Sequence, residues 1–292
     1  MSGNNNKVQL VLFIILVCNL AVSAIKIIVG LMTGMQSVTA DGYHSITDGL
    51  SNLIGMIGVK IASKPQDWNH AYGHSRYETL SSLSIAALLI YLGIKVLEQS
   101  VMNFIEPSFR VPSNIEFILI IITLIFNIFV SLLESKAGKK LNSIILIADA
   151  KHTLSDIYVT LGVIISIILI KYFNAPLYID SLISLLIACL IFKTAWQIFH
   201  AAADELTDHI AIEPEVIINA VMLEPEIKGV HKVRSRRSGD IIYADFHVQC
   251  DPEMKLKDVH AMTHRIQAHL HDKLGLNINC VIHTEDVKDI KI

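Results

Sequence analysis

Two stretches decide the fold: Ala40-Asp41-Gly42-Tyr43-His44-Ser45-Ile46-Thr47-Asp48 and Ala148-Asp149-Ala150-Lys151-His152-Thr153-Leu154-Ser155-Asp156. Each sets a His and an Asp four residues apart inside a long apolar segment. On a helix, positions i and i+4 share a face. Each stretch therefore presents an imidazole beside a carboxylate. Two such helices packed together offer two nitrogens and two oxygens to one point, a donor set that suits tetrahedral zinc. Ionisable groups inside a membrane are costly and mark function, so His44, Asp48, His152 and Asp156 form the first candidate site. The competing reading, interhelical hydrogen bonds, suits one such stretch better than two on separate helices.

The surrounding composition fits a membrane protein. The chain has 292 residues, 52% of them hydrophobic and 17% charged, with net charge −3 and mean hydropathy +0.52. A soluble globular chain carries about 25% charged residues. No polybasic run points to nucleic acid. Six segments are long enough to cross a bilayer, which takes roughly 20 apolar residues: Val8–Leu31, Ser37–Ala62, Thr79–Ile105, Asn114–Leu133, Ile144–Phe173 and Leu177–His200. Lys7, an apolar run and Val22-Ser23-Ala24 resemble a secretory signal, but the apolar stretch continues from Val8 to about Val29, long for a signal core, and reads as a spanning helix.

Basic residues cluster on one side of these spans. Lys7, Lys64, Arg76, Lys136, Lys139 and Lys140 lie on it, against Arg110 and Lys171 on the other. The positive-inside rule then places both termini in the cytoplasm. Composition changes near Leu206–Ile212, which divides a transmembrane domain, 1–208, from a polar cytoplasmic domain, 209–292. The polar part reads helix (Pro214–Leu223), strand (Gly229–Arg237), strand (Ile241–Gln249), helix (Lys257–Leu274), strand (Asn277–His283). This αββαβ order predicts a small two-layer α+β domain. Cys18, Cys189, Cys250 and Cys280 form no CxxC pair, and no disulfide framework is expected.

Two more clusters could hold metal. Asp67, His70 and His74 lie in the connection between the second and third spans, with the two His at i, i+4. The polar domain holds eight of the 13 His, among them His231, His247, His260, His264 and His283, with Glu285 two positions after the last. Lys26 and Lys95 are expected to snorkel or pair.

With these motifs, and Tyr72-Gly73-His74-Ser75-Arg76-Tyr77-Glu78, nearly the whole chain resembles the cation diffusion facilitators, particularly the bacterial proton-coupled zinc and ferrous-iron exporters. The resemblance implies six transmembrane helices and a ferredoxin-like cytoplasmic domain. It implies a transport site at His44, Asp48, His152 and Asp156, and a loop site at Asp67, His70 and His74. It implies a binuclear cytoplasmic site at His231, His247, His260 and His283, with Glu285 where relatives often have Asp. It also implies a homodimer in the cell inner membrane, steadied by a pair matching Arg76 and Asp204.

The expected activity is export of a divalent cation in exchange for protons, since ligation needs neutral His and ionised Asp and protons displace the metal. Zinc suits the donors, with a structural role in the cytoplasmic domain as well; iron(II), cadmium, cobalt and manganese are alternatives. Manganese-selective relatives tend to replace these His, and this chain keeps them. Two rival classes are a metal sensor or scaffold without transport, and an intramembrane metalloenzyme. Against the enzyme, the chain has no HExxH and no Glu placed as a base beside the His pairs.

Overall fold

The computed structural model describes the backbone at residues 2–106, 110–141, 144–239, 241–274 and 277–287. Side chains are described for most of these, but not for residues 2–12, 48, 51, 52, 55, 138, 141, 144–152 and 155. Apolar runs without Pro become six long helices: α1 (Ser2–Thr33), α2 (Gln36–Ala62), α3 (Arg76–Ile105), α4 (Asn114–Leu141), α5 (Ile144–Phe173) and α6 (Tyr178–Leu206). Among the described residues, stretches in α1, α3, α4, α5 and α6 are long and apolar enough to cross a membrane. The helix missing from that set is α2, which carries Asp41, His44, Asp48 and Lys60. Its 27 residues span about 40 Å at 1.5 Å each, so its length suffices to cross, though its described side chains do not form a continuous stretch of that length. Such a helix must turn its polar positions to protein or water rather than lipid.

The chain packs as two units, and the division does not fall at a single point in sequence. One unit holds residues 1–56 and 84–198; the other holds 57–83 and 199–292. The end of α2, the start of α3 and their connection thus belong with the C-terminal domain.

In the first unit, Val29, Met35, Leu89, Val163, Ile167 and Ile191 lie in one buried core. Some of its buried polar groups are satisfied between helices, as lipid favours. Ser100 and Ser184 join α3 to α6 through their hydroxyls at 2.7 Å. Asp180 of α6 caps the start of α2, accepting from the Gln36 amide at 2.8 Å and from the Ser37 hydroxyl. Such a cap satisfies amides that a helix start leaves without partners. Close approach of α1 to α2 depends on glycine: a Cβ on Gly42 would lie 2.7 Å from Ile27 Cγ1 and 2.9 Å from the Ile27 backbone nitrogen.

In the second unit, α7 (Pro214–Val221) is followed by β1 (Gly229–Ser238), β2 (Ile241–Cys250), α8 (Leu256–Leu274) and β3 (Asn277–Asp286). Pro214 opens α7, where its fixed φ and missing N–H cost nothing. The sheet order is β1-β2-β3, antiparallel for the first pair and parallel for the second. This is the αββαβ arrangement of a ferredoxin-like domain. Alternation decides its faces. Ile242, Ala244, Phe246 and Val248 are buried against Ile217 of α7 and Met262, Ile266 and Leu270 of α8. Tyr243, Asp245 and His247 take the opposite face. Val216, next to Ile217 on α7, is exposed. All four cysteines are free thiols.

Candidate functional site

The first site forms where α2 meets α5. Nε2 of His44 lies 3.6 Å from Oδ1 of Asp156, and both residues are buried. That distance exceeds a hydrogen bond, yet two ligands of one cation sit at such a separation. Nδ1 of His44 is buried with no hydrogen-bond partner among the described residues, a costly state for a polar atom unless something else binds there. The side chains of Asp48 and His152 lie outside the described residues; their backbone positions are on α2 and α5, one turn from His44 and Asp156. A cavity of about 520 Å³ reaches His44, lined also by Tyr158 and Gly162 of α5 and by Lys193, Thr194 and Gln197 of α6.

Polar groups surround this pair that the sequence reading did not place in a site. Lys26 is fully buried and donates to Asp41 Oδ1 at 2.9 Å, Ser45 Oγ at 3.2 Å and Thr160 Oγ1 at 2.8 Å. It therefore pairs and does not snorkel. Thr153, next to His152, donates to Oε2 of buried Glu134 at 2.9 Å. The signals for these were a lone Lys and a lone Glu in apolar segments.

The second site is a turn between α2 and α3. Asp67 Oδ1 accepts from the amides of Asn69 at 2.9 Å and His70 at 2.7 Å, and from His70 Nδ1 at 3.0 Å. The His70 amide foremost, with the other two hydrogen bonds, holds the Asp67 carboxyl below its usual range against an opposing effect of burial. Gly73, with φ of 85°, turns the chain so that His74 comes back to Asp67, with Nε2 3.3 Å from Oδ2. Asp67, His70 and His74 offer ligand atoms all within 4.8 Å of one another. With one water they would complete a four-coordinate shell.

The third site lies on the open face of the sheet. Register aligns His231 with His247 and His247 with His283, so three adjacent strands carry one row of imidazoles. Glu285, two residues along β3, reaches back to the row. Its Oε1 meets Nδ1 of His247 and lies 3.7 Å from Nε2 of His283, while its Oε2 is 3.1 Å from Nε2 of His231. His247 chiefly holds the Glu285 carboxyl below its usual range. The carboxylate's two oxygens thus serve different histidines, the geometry of a bridging ligand.

His260 does not join this row. It is on α8, whose apolar stripe of Met262, Ile266 and Leu270 packs on the other face of the sheet. Its Nε2 instead lies 3.2 Å from Nε2 of His264, one turn on. The expected pairing of Arg76 with Asp204 is likewise replaced within the chain. Helix α6 ends at Leu206, and Asp208 takes a left-handed conformation with φ of 56°. Its carboxylate then meets Arg76 at 2.8 Å and Arg236 at 3.4 Å.

Residues 12–207 match the family described as the cation efflux transmembrane domain, and residues 211–287 match the cation efflux protein cytoplasmic domain. An uncharacterized transporter of Methanocaldococcus jannaschii is 31% identical, over 87% of this chain and 90% of its own. The manganese efflux system protein MneS of Bacillus subtilis is 28% identical, over 90% of both chains. The zinc transporter ZitB of Pectobacterium atrosepticum is 26% identical, over 84% of this chain and 76% of its own.

Proposed function

The chain belongs to the cation diffusion facilitator family of cation efflux proteins, and from that premise we propose that it exports zinc from the cytoplasm in exchange for protons. The family is one of divalent cation transporters and not of enzymes, and the C-terminal domain is its dimerisation module. The observation that carries the finer reading is the approach of His44 to Asp156 across α2 and α5. His44, Asp48, His152 and Asp156 are the ligands of the transported ion. The two carboxylates attract and hold it, and the two imidazoles complete its shell and take protons as it leaves.

Two imidazoles favour a borderline metal over a hard one, which supports zinc. The name of the Bacillus relative favours manganese as the second reading. The basic residues at the ends of the spans support an inner-membrane protein with both termini in the cytoplasm. The loop and sheet clusters would then bind metal on the cytoplasmic side, where the cytoplasmic domain senses it and tightens the dimer.

The test is flux into proteoliposomes with zinc, manganese, iron(II), cobalt and cadmium under an imposed pH gradient. Zinc uptake should exceed manganese uptake, depend on the gradient, and fall at least tenfold in Asp156→Asn and Asp48→Ala. Uptake by these variants at the wild-type rate would sink the site, and a preference for manganese would sink zinc as its cargo.

A further inference from the structure

We propose that Lys26, Asp41 and Thr160 form a gate that closes one end of the ion path, and that the ion must open it to leave. The inference rests on the reading of His44, Asp48, His152 and Asp156 as the transport site.

Position is the first support. Asp41 precedes His44 by three residues on α2, and Thr160 follows Asp156 by four on α5. Both therefore lie one turn from the metal pair, toward the start of α2 and the end of α5. In the proposed orientation that is the extracytoplasmic side. An ion moving that way along the α2–α5 seam meets this group next.

Closure is the second. Lys26 of α1 donates to Asp41 at 2.9 Å, to Ser45 at 3.2 Å and to Thr160 at 2.8 Å. The Thr160 hydroxyl donates in turn to the other oxygen of Asp41 at 3.0 Å. Three helices are thereby tied at one point. Lys26 and Thr160 are 0% exposed and Asp41 is 1% exposed, so no water or ion passes there. Gly42 brings Lys26 into range, because the α1 backbone at Ile27 packs against the place its side chain would occupy.

Energetics make such a knot a latch. A buried ion pair gains Coulomb energy but loses the hydration of both charges, and the two nearly cancel. Closed and hydrated-open states therefore lie close in free energy. A divalent cation one turn away tips the balance, since it repels the Lys26 ammonium and offers Asp41 another counter-charge. Passage of the ion and opening of the gate are then one event, and the path stays shut to protons between ions.

The experiment uses the full-length protein in proteoliposomes with an internal pH dye. Lys26→Met and Asp41→Asn are combined so that neither charge is left buried alone. The double variant should bind zinc in detergent within threefold of wild type. In metal-free vesicles it should lose an imposed pH gradient at least fivefold faster than wild type. Thr160→Val, which keeps the ion pair and serves if the double variant does not fold, should leak about twofold faster. A gradient held as well as by wild type would overturn the gate, whether or not zinc flux survived. The transport-site reading is checked separately by Asp48→Asn with the gate intact: zinc carried at the wild-type rate by that variant overturns the site itself.

Discussion

His74 donates its Nδ1 proton to the carbonyl oxygen of Pro65 at 3.1 Å. A carbonyl can only accept, so the tautomer is settled. In the neutral ring Nε2 then carries a lone pair, and it faces Asp67 Oδ2 at 3.3 Å. Two acceptors at that distance repel unless a cation or a proton stands between them. A ring oriented by a backbone carbonyl is also the usual state of a metal-binding histidine.

The loop should therefore bind zinc on its own account. His74→Ala and Asp67→Asn should each weaken one zinc equivalent at least tenfold in calorimetric titration of the purified protein. Binding should fade in acid, because protons compete with the metal for the same ligand atoms. Unchanged stoichiometry and affinity in both variants would remove the loop from the list of sites.

Glu285 predicts a pH effect in the metal-free protein. Its carboxyl is held below its usual range, chiefly by His247. A depressed pKa stabilises the fold above the ordinary carboxylate value, and that contribution disappears as the pH falls through the lowered one. Glu285→Gln should thus lower the melting temperature in chelator at pH 7, and the gap to wild type should close in acid. In zinc the gap should widen at pH 7, because the variant also loses a charged metal ligand beside the three histidines.

Asp208 gives the same sign through a different partner. Arg76 is the first cause of its lowered pKa and Arg236 adds to it, against some burial, from an ordinary value of 3.8. The group is about half exposed, so solvent screening limits the pair to less than about 1 kcal/mol. Asp208→Asn should cost that much at pH 7 in thermal melts, and the difference should vanish as the pH falls through the lowered value. Asp204→Asn, whose residue does not reach Arg76 within the chain, should leave the melt unchanged in the monomer.

Gly42→Ala tests the contact that sets α1 on α2. The added methyl would meet backbone 2.9 Å away, which no rotamer relieves. Overpacking of this kind costs about 1–3 kcal/mol. The variant should melt several degrees lower and leak protons like Thr160→Val. A melt and a leak rate equal to wild type would show that α1 yields freely at this point.

Local pattern alone made much of this protein legible. Long apolar runs without Pro announced six helices, and the alternation from Ile241 to Gln249 announced a strand with one buried face, because a side chain's face follows from its sequence position in a regular element. His-x-x-x-Asp on a helix is local geometry too, and so is the i, i+4 spacing of His260 and His264. What meets what across elements is a different matter, since it depends on register, layer and helix ends. Pairing of β1, β2 and β3 set three histidines in a row, while the apolar stripe of α8 turned His260 to the other side of the sheet. The end of α6 at Leu206 gave Arg76 to Asp208 instead of Asp204. A close approach at Gly42 made a buried ion pair of Lys26 and Asp41, which lie 15 residues apart on different helices. The elements and the inventory of ligands follow from local sequence pattern; which of those ligands share a point in space follows from packing across elements.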